Sequence, residues 1–397
     1  MDIIKGRTES DRIEINKENN LVVKYYDDKW KSNNQFFNRK GEGYFLNKYR
    51  SSLFIHMLGY NNEKITLLYG GEPIGPKDKI VDNPKIDLFE LFKYLIELRD
   101  ELILFDIEHR DINPTNILYN EITKEFKLID FNWAIEKSSP DNLKTCPTEL
   151  NTPGYYPSDE DSFNKMFKEI IDILISRLGS EEYRDGSSVN RGWAYHPIPF
   201  VEFSNVSYHQ SYALEQLVFI SSYKTKEINF KFVEGLKILD IGTANGHFSF
   251  NLARMGAKVL GIEGDKFVYE INECLNLWKC EDLKLNFLNL YLNDQNIKLF
   301  APDFDLVLFL NSHMWIRKQI GEKRTKDLMK SLSLITKSMY FMSCGEDGEG
   351  MYKVPEFKNS QDIEQYLIEC GFKNIKKVNE FNQNGGPRHM FYCEGSL

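Results

Sequence analysis

The chain has 397 residues, 42% of them apolar and 27% charged, with a formal net charge of −9. That length suits two or three domains, each with enough apolar material for its own core. No run of 18 apolar residues occurs, and the opening stretch MDIIKGRTESDRIEI has no apolar segment, so neither a membrane span nor a secretory signal is expected. Cys146, Cys274, Cys280, Cys344, Cys370 and Cys393 are scattered, with no C-x-x-C pair. Reduced thiols and a cytoplasmic location are the expectation, and a disulfide framework or a zinc site is not.

Charge divides the chain. Residues 1–190 hold 26 Lys/Arg against 34 Asp/Glu, a net of −8, and the remainder hold 24 against 25. The acidic half does not suit duplex nucleic acid, whose phosphates need basic surface. The near-neutral half leaves that question open.

In chain order, residues 12–28 read as short strands ending in LVVKYY, and 41–54 as a helix. ITLLYG (65–70) is a strand stopped by Gly-Gly and Pro73. Residues 86–102 carry apolar side chains at 88, 91, 92, 95, 98 and 102, a helical stripe. NILYN (116–120) and FKLIDF (126–131) form a hairpin around a polar turn. Residues 159–178 form an amphipathic helix, with Ser158 as its N-cap and acids at 159–161 facing the positive end of the helix dipole.

The polar, Gly- and Ser-rich stretch 179–192 reads as a linker. It implies a front domain over 1–180, a joining segment over 181–200 and a back domain over 201–397. In that back domain LKILDIG (236–242), AKVLGIE (257–263), LKLNFLN (283–289) and FDLVLFLN (304–311) are apolar strands separated by helical stretches. Such alternation predicts a parallel, doubly wound α/β sheet.

His109-Arg110-Asp111-Ile112-Asn113-Pro114-Thr115-Asn116 fits H-R-D-x-x-x-x-N, and Asp130-Phe131 follows at the end of the next hairpin strand. Phosphoryl transfer needs one carboxylate to take a hydroxyl proton, and further oxygens to hold a divalent cation against phosphate. Asp111 suits the first role, and Asn116 with Asp130 suits Mg²⁺. This set resembles the protein-kinase-like superfamily. The resemblance implies an α+β bilobal domain that binds ATP. By it, Lys24 neutralises the α- and β-phosphates and Glu42 holds that lysine. Leu68 and Tyr69 would offer hinge backbone to adenine. A solvated strand lysine and a surface glutamate are the alternatives. Three departures stand out: only Gly6 lies before Lys24 where a glycine-rich loop belongs, Asn132 replaces the glycine after Asp-Phe, and no Ala-Pro-Glu follows. With the small size of the unit, they point to compact small-molecule kinases such as those acting on sugars, aminoglycosides and the lipopolysaccharide core, or to an inactive pseudokinase.

Leu239-Asp240-Ile241-Gly242-Thr243-Ala244-Asn245-Gly246 lies between a strand and a helix, and Glu263 ends the next strand. Glycines there permit close approach to a ligand. An acid at the strand end suits a cationic ligand, not a pyrophosphate, and a second acid about 20 residues on suits ribose hydroxyls. The pattern resembles class I S-adenosylmethionine (SAM)-dependent methyltransferases, a Rossmann-like α/β fold. The resemblance implies SAM contacts at Asp240, Gly242, Gly246, Glu263, Asn289 and Asn311. Asn289 is equally a loop asparagine. His313 is either a catalytic base or acceptor anchor, or a packed histidine beside Trp315. Segment 191–196, RGWAYH, is a candidate cofactor cover, and Arg388 in a terminal hairpin is a candidate grip for an anionic acceptor.

A kinase-like domain followed by a methyltransferase is similar in content, though not in order, to bifunctional enzymes that cap O-antigen chains. That resemblance implies phosphorylation of a glycan or small-molecule hydroxyl, then methylation of the product, with the phosphate itself as one candidate methyl acceptor. The alternative is a methyltransferase of a small molecule or RNA, regulated by a nucleotide-binding pseudokinase. Oligomeric state is not legible in the residues.

Overall fold

The computed structural model describes residues 2–5, 12–25, 42–61, 63–138, 158–178, 200, 233–344, 353–383 and 386–397. The chain divides into two compact units, Met1–Leu174 and Ile175–Leu397. The candidate linker 179–192, the glycine-loop position at Gly6 and the 191–196 segment lie outside the described residues.

The first unit opens with β1 (Asp2–Lys5), β2 (Arg12–Asn16) and β3 (Leu21–Tyr25). Helix α1 (Glu42–Lys48) follows, then β4 (Met57–Tyr60) and β5 (Lys64–Leu68). These strands make an antiparallel sheet in the order β1-β2-β3-β5-β4. Alternation builds β5: Ile65 and Leu67 are buried between more exposed neighbours.

Helix α1 is shorter than the 41–54 expected. Ser51 ends the run: its Oγ accepts the Leu53 N–H at 2.9 Å and donates to Glu101 Oε2 at 2.6 Å. A serine offering the backbone its side chain competes with the helix. The freed backbone then joins the hairpin strand ahead, with Ile55 N–H donating to Leu128 O at 2.9 Å.

After the sheet come β6 (Glu72–Pro73) and α2 (Leu88–Leu104), then β7 (Ile107–Glu108), β8 (Ile117–Asn120), β9 (Glu125–Leu128) and β10 (Ile135–Glu136). Helix α3 (Asp159–Leu178) closes the set. All six apolar positions of the α2 stripe are buried, and Asp87 caps the helix by accepting the Phe89 and Glu90 N–H groups. Phe92 of α2 packs on Phe167 of α3, ring centroids 4.7 Å apart. Ser158 Oγ accepts the Asp161 N–H at 3.0 Å, so α3 begins where the sequence places it.

The second unit alternates β11 (Lys237–Ile241), α4 (His247–Arg254), β12 (Lys258–Glu263), α5 (Lys266–Lys279), β13 (Leu285–Asn289) and β14 (Leu306–Leu310). Helices α6 (His313–Ile320) and α7 (Glu322–Ile335), strand β15 (Ser338–Cys344), α8 (Ser360–Glu369), β16 (Lys373–Gln383) and β17 (Gly386–Glu394) complete it. The sheet order is β13-β12-β11-β14-β15-β17-β16, parallel except for the antiparallel β17. Sheet covering on both faces explains the unbroken apolar runs; every residue of β15 is buried. Strand order reverses between β11 and β14, which opens a crevice at their carboxyl ends. The first unit thus combines antiparallel sheets with helices, and the second is a largely parallel α/β sheet.

Candidate functional site

In the first unit the expected residues converge. Lys24 on β3 reaches Glu42, the first residue of α1, with Nζ 2.9 Å from both carboxylate oxygens. The Glu42 side chain is fully buried and that of Lys24 is 15% exposed. Burial pulls the Lys24 pKa down, but Glu42 and Asp130 outweigh it and hold the ammonium above the ordinary lysine value. Glu42 Oε1 also accepts the Asp130 N–H at 2.9 Å. One carboxylate therefore ties the strand lysine to the Asp-Phe turn.

The loop 109–116 is braced from several sides. His109 is fully buried; its Nε2 pairs with Ile129 O at 3.0 Å, and its ring lies edge-on to Phe131 at 4.8 Å. Phe131 is itself packed by Phe54 and Phe45, the latter on α1. Asp159, at the start of α3, accepts the N–H groups of His109 and Arg110 at 2.6 and 2.8 Å. Arg110 and Asp130 hold left-handed backbone, φ 68° and 66°, and such strain persists only where surroundings over-determine it.

Asp111 sits at the centre. Asn116 Nδ2 donates to Asp111 Oδ2 at 2.9 Å, and Asn113 Nδ2 to Asp111 Oδ1 at 3.0 Å. With its nitrogen committed to Asp111, Asn116 keeps its amide oxygen as the end for a hard cation. The hairpin brings Asp130 beside it: Ile117 pairs with Leu128, and Ile129 N–H donates to Asn116 O at 2.9 Å. A carboxylate and an amide oxygen fit Mg²⁺, which takes few protein ligands and completes its shell from water and phosphate. Asn132 Nδ2 donates to Asp130 Oδ1 at 2.5 Å, so the residue that replaces glycine orients the carboxylate.

The hinge differs from expectation in detail. Leu68 N–H donates to His56 O at 2.9 Å, and Tyr69 N–H to Asn20 O at 3.0 Å. Both amides are taken by the unit itself, which leaves carbonyls or the following Gly70-Gly71 for any adenine.

In the second unit, Asp240, Gly242, Gly246, Glu263, Asn289 and Asn311 lie at the carboxyl ends of β11–β14 or in the loops that follow, and His313 opens α6. Gly242 and Gly246 have φ 69° and 70°. A Cβ on Gly242 would strike Ser312, and one on Gly246 would meet the Phe250 ring. Internal packing thus demands both glycines. Ser312 Oγ donates to Ile241 O at 2.8 Å, stitching the ends of β11 and β14 together at the crevice.

Asp240 is buried and accepts from Ser249 Oγ at 2.7 Å. Burial pushes its pKa up to about 6 against the hydroxyls of Ser249 and Thr243. Glu263 accepts the Ala244 and Asp265 N–H groups, one on each oxygen, at 2.9 Å. Burial outweighs those donors and pushes it up to about 7. Each Glu263 oxygen retains a lone pair for a hydroxyl donor, the set a ribose diol requires. Asn272 Nδ2 on α5 holds Ala244 O at 2.6 Å and so fixes the glycine loop from behind.

Asn289 is exposed, its Nδ2 donating to Glu263 O at 3.0 Å. Asn311 takes φ 59°, and its N–H donates to Met342 O at 2.9 Å. His313 is 1% exposed, at the first turn of α6. It stacks on Phe357 at 5.4 Å, with Phe341 and Tyr366 edge-on, and its Nε2 pairs with Tyr366 Oη at 3.2 Å. Burial, helped by Arg317, pulls its pKa down to about 3. This is a neutral ring in an aromatic box. Arg388 is also 1% exposed, with Nη1 donating to Cys344 Sγ.

Sequence reasoning missed Ser249, Thr243, Asn272 and Ser312 around the glycine loop, and the anchoring role of Asp159. Only Asp159 carried a signal, as an acid opening a helix. The others are polar residues that fold back onto the loop. Among the described residues no cluster of three His, Cys, Asp or Glu is placed to hold a metal, and no helix is long and apolar enough to cross a membrane.

No protein-family model matches the chain. Over 118 residues it is 26% identical to fnkB of Dictyostelium discoideum, described as a probable serine/threonine-protein kinase; the match covers 30% of this chain and 20% of that protein. Among solved structures, the bifunctional kinase–methyltransferase WbdD superposes with a TM-score of 0.43 at 18% identity, over 56% of this chain and 46% of that one. Magnesium protoporphyrin IX methyltransferase ChlM of Synechocystis PCC 6803, with bound SAM, gives a TM-score of 0.39 at 15% identity, over 57% and 97%. The chain thus matches about a fifth of the curated relative's length and under half of WbdD's. The proteins to which the chain shows similarity are thus a probable kinase, by sequence, and a bifunctional kinase–methyltransferase and a SAM-bound methyltransferase among solved structures.

Proposed function

We propose that the chain is a two-activity transferase. Its first unit moves the γ-phosphoryl group of Mg–ATP to a hydroxyl of a glycan or small molecule, and its second methylates the product from SAM. The observation that carries the reading is Glu42, which holds Lys24 and the Asp130 backbone at once. A surface glutamate has no reason to be fully buried with a lysine and a turn amide on the same carboxylate. Asp111 stands as the proton acceptor, oriented by Asn113 and Asn116. Asn116 and Asp130 would hold Mg²⁺, which when bound neutralises phosphate charge.

In the second unit Glu263 would take the ribose hydroxyls, and the loop 242–246 would receive the rest of the cofactor. Asp240 stiffens that loop through Ser249 and Thr243 rather than lining it openly. SAM brings an already activated methyl group, so the protein's work is to place an acceptor in line and exclude water. A buried neutral His313 supplies packing, and an anionic acceptor such as a phosphate needs no base. The other reading is regulatory: a nucleotide-binding pseudokinase that controls a methyltransferase.

Incubation of a metabolite extract with γ-labelled ATP and methyl-labelled SAM separates the two. A product carrying both labels, lost in Asp111→Asn, supports the two-step enzyme. Methyl label that is indifferent to ATP hydrolysis and to Asp111→Asn contradicts it.

A further inference from the structure

The loop between β6 and α2 is built to present one lysine to Asp111. Ile74 N–H donates to Ile117 O, and Val81 N–H returns to Ile74 O, both at 3.0 Å. A turn closes the tip, Lys79 N–H to Pro76 O at 3.2 Å, and glycine is required at 75 because a Cβ there would collide with Lys79 O. Ile74 and Ile80 are buried as anchors, and Glu169 of α3 accepts the Ile80 N–H at 3.0 Å. Lys77 stands at the tip, its Nζ 3.4 Å from Asp111 Oδ1. The position two residues after Asp111 is Asn113, a neutral donor to the same oxygen.

We propose that Lys77 is a phosphate-contacting catalytic residue of the phosphotransfer site, supplied by this loop. The inference rests on the kinase reading of the first unit. The Lys77 side chain is 63% exposed and that of Asp111 14%, and an ion pair at 3.4 Å whose cation stays in water adds little to stability. An anchored loop that ends in a weak ion pair is better explained by an exchange of partners. As the γ-phosphoryl group begins to transfer, Lys77 leaves Asp111 Oδ1 for one of its oxygens. Asp111 Oδ1 then accepts the acceptor's hydroxyl proton as the new P–O bond forms, and the bond from Pγ to the ADP oxygen breaks. The ammonium meets charge spread over the transferring oxygens, where electrostatic stabilisation acts most strongly.

The test uses the full chain, with Mg–ATP as substrate and water as acceptor, and measures phosphate release. Lys77→Ala should lower kcat by about 10- to 100-fold and leave KM for ATP and the melting temperature unchanged. Lys77→Arg should recover most of the rate. Wild-type kcat in Lys77→Ala, or a change in KM alone, overturns the proposal while Asp111→Asn still abolishes release. Release that is absent in the wild type, or untouched by Asp111→Asn, overturns the kinase reading and this inference with it.

Discussion

Glu42 clasps the Lys24 ammonium with both carboxylate oxygens at 2.9 Å, inside a unit where the glutamate side chain has no exposure at all. Two charges so placed are favourable only together. Removing one partner strands the other in a poorly solvated site.

Lys24→Met should therefore abolish nucleotide binding and destabilise the first unit by about 3–5 kcal/mol. Lys24→Met with Glu42→Leu should recover much of that stability and none of the binding. Denaturant titrations of the two variants, followed by a fluorescent ATP analogue, distinguish a buried pair from a surface one. Equal stability of wild type and Lys24→Met would show that the pair is not held as described.

Asp159 accepts two backbone N–H groups of the 109–116 loop. Asp159→Ala leaves both donors without that partner, at about 1–3 kcal/mol each, and lets Asp111 drift. Hydrogen exchange at His109 and Arg110 should accelerate, and phosphate release should fall at least tenfold with ATP affinity retained. Unchanged exchange at these amides would rule out the anchor.

Glu263 sits near pKa 7 because burial opposes its charge. Accepting ribose hydroxyls requires the ionised form. Adenosylhomocysteine should then bind about tenfold more weakly at pH 6 than at pH 8, and Glu263→Gln should bind poorly and without that slope. Calorimetry at the two pH values checks this; pH-independent affinity in the wild type would remove Glu263 from the site.

His313, pulled down to about 3, is neutral when folded and titrates near 6.5 when unfolded. The unfolded state thus binds the extra proton between those values, and this contribution to stability is complete above pH 6.5 and lost as pH falls. His313→Phe, which keeps the aromatic packing, should flatten the acid limb by about 1.4 kcal/mol per pH unit. Thermal unfolding from pH 4 to pH 8 reads the difference. Identical acid limbs would mean that the ring is protonated in the fold.

Much of this was legible because chemistry and local structure share the same short segments. His109 to Asn116 and Leu239 to Gly246 each join a strand end to a loop, and spacing along the chain fixes what they present. The α2 stripe was readable because one face of a helix meets one core. The end of α1 was not, since past Lys48 the chain bonds to distant segments, Ser51 to Glu101 and Ile55 to Leu128. Burial of His313 and Arg388 was equally hidden: a polar residue after a strand looks alike in sequence whether it faces a cleft or an aromatic box. Lys77 was invisible for the same reason, because only the folded loop brings it to Asp111.

Calorimetric titration of the full chain with Mg–ATP, and separately with adenosylhomocysteine, tests the central claim most directly. The account predicts one saturable site for each, with Lys24→Met losing only the first and Glu263→Ala only the second. Failure of the wild-type protein to take up either ligand would contradict it.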